Sequence, residues 1–132
     1  LGRRLLLKVE HVMHSGDSLP RVLRGTSLRD ALLEMTQKGL GMTVVLQADG
    51  NLAGVFTDGD LRRILDQRYD IHSNQIADVM TRNCITAQAQ QLAAEALQIM
   101  QQKKINGLII IDDAGKPVGA MNMHDLLRAG VL

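Results

Sequence analysis

The chain has 132 residues, a length suited to one compact domain that buries roughly two-thirds of its extended surface. Its 15 basic and 14 acidic residues leave a formal net charge of +1, so no overall field draws it towards nucleic acid or an anionic membrane. There is no Trp, and Phe56 and Tyr69 are the only other aromatics. This removes the base-stacking platform of single-strand binders and leaves Leu, Ile, Val, Ala and Met to form the core.

Residues 1–16 are basic, then polar, and read as a lead-in segment with a short helix. Leu5-Leu6-Leu7 is too short for a signal-peptide core, and no apolar run approaches the ~20 residues that cross a bilayer. The chain opens on Leu1-Gly2-Arg3-Arg4 without an initiator Met and reads as a piece of a longer protein. Cys84 is alone, which excludes an internal disulfide and suits a reducing, cytoplasmic location.

After Pro20, Arg21-Val22-Leu23 reads as a short edge strand. Ser27 starts a helix whose Leu28, Ala31, Leu32 and Met35 share one face; Asp30 completes a cap-like spacing, and Gly39 suits the stop. Met42–Gln47 reads as a buried strand, Asp49-Gly50 as a hairpin turn and Leu52–Phe56 as the returning strand. Asp58–Gln67 follows as a helix with Leu61, Ile64 and Leu65 inward. Residues 68–75 are polar and read as a link. The order then recurs: a strand at Cys84–Thr86, a helix over 91–104, strands at Leu108–Ile111 and Val118–Met121, and a helix at Met123–Ala129.

This recurrence is a repeat. Residues 26–65 fall on 91–130 without a gap. Ala31-Leu32-x-x-Met35-x-Gln37-Lys38 lies on Ala96-Leu97-x-x-Met100-x-Gln102-Lys103, and Gly54-x-x-Thr57-x-x-Asp60-Leu61-x-Arg63 on Gly119-x-x-Asn122-x-x-Asp125-Leu126-x-Arg128. Val12-Met13 matches Val79-Met80 at a slightly different offset. Each half is β-α-β-β-α, one supersecondary unit that cannot close a core by itself. The fold class is α+β, a pseudo-two-fold pair with its functional surface expected where the halves meet.

The sharpest chemistry lies where each returning strand enters its helix. A helix N-terminus offers free N–H groups and a positive dipole end that favours phosphate, and Thr57 or Asn122 adds a side-chain donor. Asp60 or Asp125, one turn in, can accept hydrogen bonds from ribose hydroxyls. Thr57-x-x-Asp60 and Asn122-x-x-Asp125 are equally good helix N-caps with an acid in the first turn, and duplication preserves caps as readily as ligand contacts.

The doubled unit and the Gly-x-x-Thr-x-x-Asp junction resemble a CBS domain pair, a Bateman module, over about residues 9–130. The resemblance implies tandem motifs at 17–67 and 76–132, joined by 68–75, with adenine nucleotides or related ligands in clefts between them. It implies Thr57 as a phosphate or ribose contact and Asp60 and Asp125 as ribose acceptors, with Asn122 standing where Thr or Ser is usual. Asp58 and His124 lie beside these residues and join the candidate ligand set.

A narrower resemblance rests on Leu1-Gly2-Arg3-Arg4-Leu5-Leu6, Val12-Met13-His14, Leu40-Gly41-Met42-Thr43-Val44, Phe56-Thr57-Asp58-Gly59-Asp60-Leu61-Arg62-Arg63, Ile76-Ala77-Asp78-Val79-Met80-Thr81 and Met123-His124-Asp125-Leu126-Leu127-Arg128-Ala129-Gly130-Val131. These look like the C-terminal half of the D-arabinose 5-phosphate isomerases. That implies a preceding sugar-isomerase (SIS) domain and a parent that converts D-ribulose 5-phosphate to D-arabinose 5-phosphate for Kdo and lipopolysaccharide synthesis. It also implies a homo-oligomer, a dimer of pairs that extends to a tetramer in the parent. The regulatory ligand would be AMP, ADP, ATP or, on metabolic logic, CMP-Kdo. A purely structural dimerisation module that binds nothing is the rival reading.

Other signals are bland. His11 and His14 with Asp17 suggest a metal site, but neither His72 nor Cys84 completes a ligand spacing, so a surface lead-in is expected there. Asp58 and Asp60 have no accompanying nucleophile, so no catalytic residue and no required cofactor are assigned. Lys103-Lys104 and Arg62-Arg63 read as solvated helix faces, one residue of each pair within reach of a ligand phosphate. Arg128 repeats Arg63, which suggests one structural pairing shared by both halves.

Overall fold

The computed structural model describes residues 6–131. The chain forms two compact units, and neither coincides with one sequence repeat. One is Leu19–Cys84; the other joins the stretch that ends at Ser18 to the stretch that begins at Ile85.

The Leu19–Cys84 unit carries strand β1 (Arg21–Leu23), helix α1 (Leu28–Lys38), strands β2 (Met42–Leu46) and β3 (Leu52–Thr57), and helix α2 (Asp58–Asp66). Its sheet runs β1-β2-β3, with β1 parallel and β3 antiparallel to the central strand. Ser27 caps α1 by accepting the Asp30 N–H at 3.1 Å, and Gly39 closes it in the left-handed conformation. The second unit repeats this with β4 (Thr86–Ala87), α3 (Ala93–Lys103), β5 (Gly107–Ile111), β6 (Pro117–Asn122) and α4 (Met123–Arg128). Even the irregularity recurs: the ladder shifts register between Val45 and Leu46, and again between Ile110 and Ile111. The α+β architecture of β-α-β-β-α units is as the repeat predicts.

Each core is completed by a segment from outside its own repeat. In one unit Ile76, Val79 and Met80 pack with Leu28, Ala31, Met35, Val45, Phe56 and Ile64. In the other, Val9 packs with Ala93, Ala96, Met100, Leu108, Met121 and Leu126, and Val12 and Met13 lie against that cluster. The Val-Met segments join the same cluster as the helices, on the sheet face that carries Val45 and Phe56 in one unit and Ile110 and Met121 in the other. Residues 68–75 remain in the first unit, where the Leu28 N–H donates to the Asn74 carbonyl at 2.9 Å.

His11 and residues 15–18 lie at the surface as expected of the lead-in, but Val9, just before them, is fully buried. The Val9 and Glu10 N–H groups donate to Gln91 and Ala89 carbonyls, and His14 exchanges two backbone hydrogen bonds with Ala120. Leu65, expected to face inward, is corrected. It is 54% exposed, because a residue next to the inward Ile64 is rotated about 100° away from the core. Helix α3 begins at Ala93 rather than residue 91, since Leu92 is the extended cap residue whose N–H donates to Glu95 Oε1.

The Val-Met segments lie so close to the returning strands that only glycine fits. A Cβ on Gly54 would stand 2.7 Å from the Thr81 carbonyl oxygen and 2.8 Å from Met80 Sδ, and one on Gly119 would overlap Met13 Sδ. Gly39 and Lys104 hold equivalent helix ends, and Lys104 has φ +55° despite its side chain. Lys104→Gly should therefore stabilise the fold by about 0.5–1 kcal/mol in urea unfolding, with an unchanged m-value.

Candidate functional site

Strand β3 delivers Thr57 in an extended conformation (φ −122°, ψ 167°) directly onto the first turn of α2. Thr57 Oγ1 accepts the Asp60 N–H at 3.2 Å, and the Thr57 N–H donates to Asp60 Oδ2 at 3.0 Å. This reciprocal box satisfies two helix-end donors at once. Asn122 and Asp125 repeat it at the β6–α4 junction, with bonds of 2.9 and 2.8 Å.

Both carboxylates are buried, with side-chain exposures of 8% for Asp60 and 3% for Asp125. A buried carboxylate must be paired and hydrogen-bonded. Arg63 meets Asp60 Oδ1 at 2.9 Å, and Arg128 meets Asp125 Oδ1 at 2.7 Å; this is the shared pairing that their repeat positions predict. Each carboxylate also takes a partner from a Val-Met segment. Thr81 Oγ1 donates to Asp60 at 3.2 and 3.3 Å, and His14 Nε2 lies 2.8 Å from Asp125 Oδ1. Each carboxylate thus has three partner residues for its roughly four acceptor positions.

Burial works to raise the pKa of Asp125, but hydrogen bonds from His14, the Asn122 N–H and Arg128 outweigh it and hold the carboxyl below its ordinary 3.8. Near the first junction, burial and then the Asp60 charge push the Cys84 thiol up to about 11.

The structure brings Thr57 to Asp60 and Asn122 to Asp125. Asp58 is exposed and lines a separate open depression of about 440 Å³ with Leu32, Met35, Thr36, Gly39, Gly41 and Leu61. His124 is exposed on the first turn of α4. Thr81 and His14 are the site residues that sequence reasoning passes over. Their signal is the third position of the repeated Val12-Met13-His14 and Val79-Met80-Thr81, where hydroxyl and imidazole replace one another.

His11 and His14 do not converge. The first accepts the Lys8 N–H at 3.1 Å, whereas the second goes to Asp125. Among the described residues no group of three His, Cys, Asp or Glu side chains could hold a metal ion. Among the same residues, no helix is long and apolar enough to cross a membrane.

The doubled β-α-β-β-α unit with a Thr/Asn-x-x-Asp cap defines a tandem two-motif module, and the chain belongs to the CBS domain family, whose model matches residues 9–67 and 76–132. It is 63% identical over 132 residues to an arabinose 5-phosphate isomerase, KdsD, of Pseudomonas aeruginosa and 49% identical to that of Escherichia coli K12. All of this chain is covered in both matches, but it spans only 40% of the length of either relative. Among solved structures, an uncharacterised conserved protein of Pyrococcus horikoshii superposes with a TM-score of 0.85 at 31% identity, covering 96% of this chain and 93% of the other. A CBS domain protein of Pyrobaculum aerophilum complexed with AMP gives 0.81 at 16% identity, over 96% and 100% of the two chains. A CBS domain pair complexed with 5′-methylthioadenosine and S-adenosyl-L-methionine also gives 0.81, at 22% identity, over 92% and 97%. The last two likenesses show the fold alone.

The electrostatics of the two junctions give two measurable outcomes. Cys84 in the folded protein should react with a disulfide reagent at pH 8 about a hundredfold more slowly than after denaturation, since its thiolate fraction falls about tenfold per unit of pKa. Asp125 is held below its unfolded value, so its stabilisation is complete above that value and is lost as the pH falls through the folded one. Asp125→Asn should therefore be less stable at neutral pH and show a shallower fall in unfolding free energy between about pH 5 and pH 2.

Proposed function

We propose that this chain is the C-terminal regulatory and assembly portion of a D-arabinose 5-phosphate isomerase. On this reading it senses an adenine nucleotide or a nucleotide sugar such as CMP-Kdo at the two strand–helix junctions. An SIS-type domain of the same polypeptide would carry the interconversion of D-ribulose 5-phosphate and D-arabinose 5-phosphate in the cytoplasm. The 63% and 49% identities to KdsD proteins support the parent enzyme.

The observation that carries the ligand reading is the Thr57–Asp60 box. The Thr57 hydroxyl accepts one N–H and retains its own proton for donation, and the Asp60 carboxylate shares one long-bonded hydroxyl, that of Thr81, between its two oxygens. A phosphate would meet the Thr57 hydroxyl at the N-terminus of the nine-residue α2, and a ribose hydroxyl would take the place of Thr81 on Asp60. Asp58 follows Thr57 but opens on the neighbouring depression, so a ligand would meet it only by reaching from the box into that depression. Asn122 and Asp125 form the second copy, with the exposed His124 beside them. AMP and S-adenosyl-L-methionine in CBS structures of the same fold support this ligand class.

Ligand binding here would act by preferring one conformation of the protein, and its leverage cannot exceed its differential affinity for the two states. Exposed Leu33, Leu65 and Leu127 favour a second reading, a homo-oligomerisation module that takes no ligand.

A thermal-shift screen with AMP, ADP, ATP, CMP and CMP-Kdo separates these readings, because a ligand of the folded state raises apparent stability. Asp60→Asn should then weaken the ligand found by about ten- to a hundredfold in calorimetry, the worth of a charge-assisted hydrogen bond. Without ligand the substitution should lower stability by only about 1–2 kcal/mol, since Arg63 is half exposed. No shift with any of the five compounds would sink the sensor reading and leave the oligomerisation module.

A further inference from the structure

Each buried carboxylate is bonded to a residue that lies, along the chain, within four positions of the end of a compact unit's segment. The chain crosses from one unit to the other at Ser18–Leu19 and Cys84–Ile85. His14 precedes the first by four residues, and Thr81 precedes the second by three. Both residues are fastened in the same two ways. The backbone of His14 exchanges paired hydrogen bonds with Ala120, at 2.8 and 3.0 Å, and that of Thr81 with Val55, at 2.8 and 2.9 Å. Their side chains then go to Asp125 and Asp60.

The geometry points to Asp125 and Asp60 as the anchors of two latches, with His14 and Thr81 as positioning residues that hold the crossings in place. The latches differ in chemistry. Thr81 contributes a neutral hydroxyl spread over both oxygens of Asp60. His14 contributes an imidazole to Asp125 Oδ1, which Arg128 already occupies. Asp60 Oδ1 is equally engaged, by Arg63 and Thr81, so at either carboxylate a ligand that chelates through two adjacent hydroxyls must displace a partner. His14 at 2.8 Å is the closer-held of the two latch residues and Thr81 at 3.2 Å the looser. At Asp60 a diol displaces the weakly held Thr81. Ligand occupancy would thus loosen a chain crossing, and the second junction is the more tightly latched. The ligand consequence rests on the sensor reading above; the latches themselves do not.

Amide hydrogen exchange by NMR tests this in the wild type, His14→Ala, His14→Gln, Thr81→Ala and Thr81→Ser. Loss of the His14 latch should speed exchange at the His14 and Ala120 amides by about five- to tenfold, with Val55 and Thr81 unchanged. Thr81→Ala should do the converse. The conservative variants His14→Gln and Thr81→Ser keep a side-chain donor and should restore slow exchange. Unchanged exchange at both pairs in the alanine variants, or a uniform rise throughout the protein, would overturn the latches. AMP serves as the ligand probe. If calorimetry shows that AMP binds and it speeds exchange at either pair, the release is supported; if it binds and moves neither pair, the release is overturned. Failure of AMP to bind would count against the nucleotide reading alone, because the variants decide the latches without it.

Discussion

The interaction on which each unit depends is a carboxylate taken out of water at the start of a helix. Desolvating a charge costs several kcal/mol unless hydrogen bonds replace the lost water. Asp60 and Asp125 recover that loss with the same three kinds of partner: the N-cap backbone, an arginine one turn later and a side chain from a distant Val-Met segment. The first two partners are local, within three residues of the acid along the chain. The third ties the helix start to chain 21 residues away at Asp60, and 111 away at Asp125.

That third partner makes the junction part of the core. Met80 and Met13 can reach the sheet only because Gly54 and Gly119 leave no Cβ in the way. Once seated, they complete the cluster that the helices form on that face of the sheet, and they present Thr81 or His14 to the carboxylate. Glycine, methionine, hydroxyl or imidazole, and carboxylate therefore act as one assembly. A change in any of them alters both the packing of the unit and the electrostatics of its junction.

The two copies share this frame but differ in character. The first junction pairs a hydroxyl cap with a hydroxyl latch and carries the exposed Asp58 beside it. The second has an amide cap, an imidazole latch and the exposed His124. Duplication preserved the backbone geometry closely enough to repeat the register shift between β2 and β3 in β5 and β6. The side chains that would meet a ligand diverged. Such divergence suits two sites of unequal preference, or one sensing site with one structural counterpart.

Much of this was legible without coordinates. The repeat at a constant offset, the helix faces at Leu28–Met35 and Ala93–Met100, the Asp-Gly turn and the Thr57-x-x-Asp60 cap are local patterns, and local patterns survive in a linear string. That Arg63 and Arg128 share one pairing was likewise visible from their equivalent positions, although their carboxylate partners were not. The exchange of segments was not. Nothing in the spacing of Val12-Met13-His14 says that it packs on strand β6 rather than on the repeat that follows it, because that choice is made by shape across the Gly119 gap. Nor could the sequence say that Asp60 and Asp125 would be buried with three partners each, or that Asp58, two residues from Asp60, would face a different depression. Sequence by itself determined the elements, the duplication and the family. Tertiary packing alone decided which segment completes each core and how deeply each carboxylate is buried and partnered, since both depend on contacts between residues far apart in the chain.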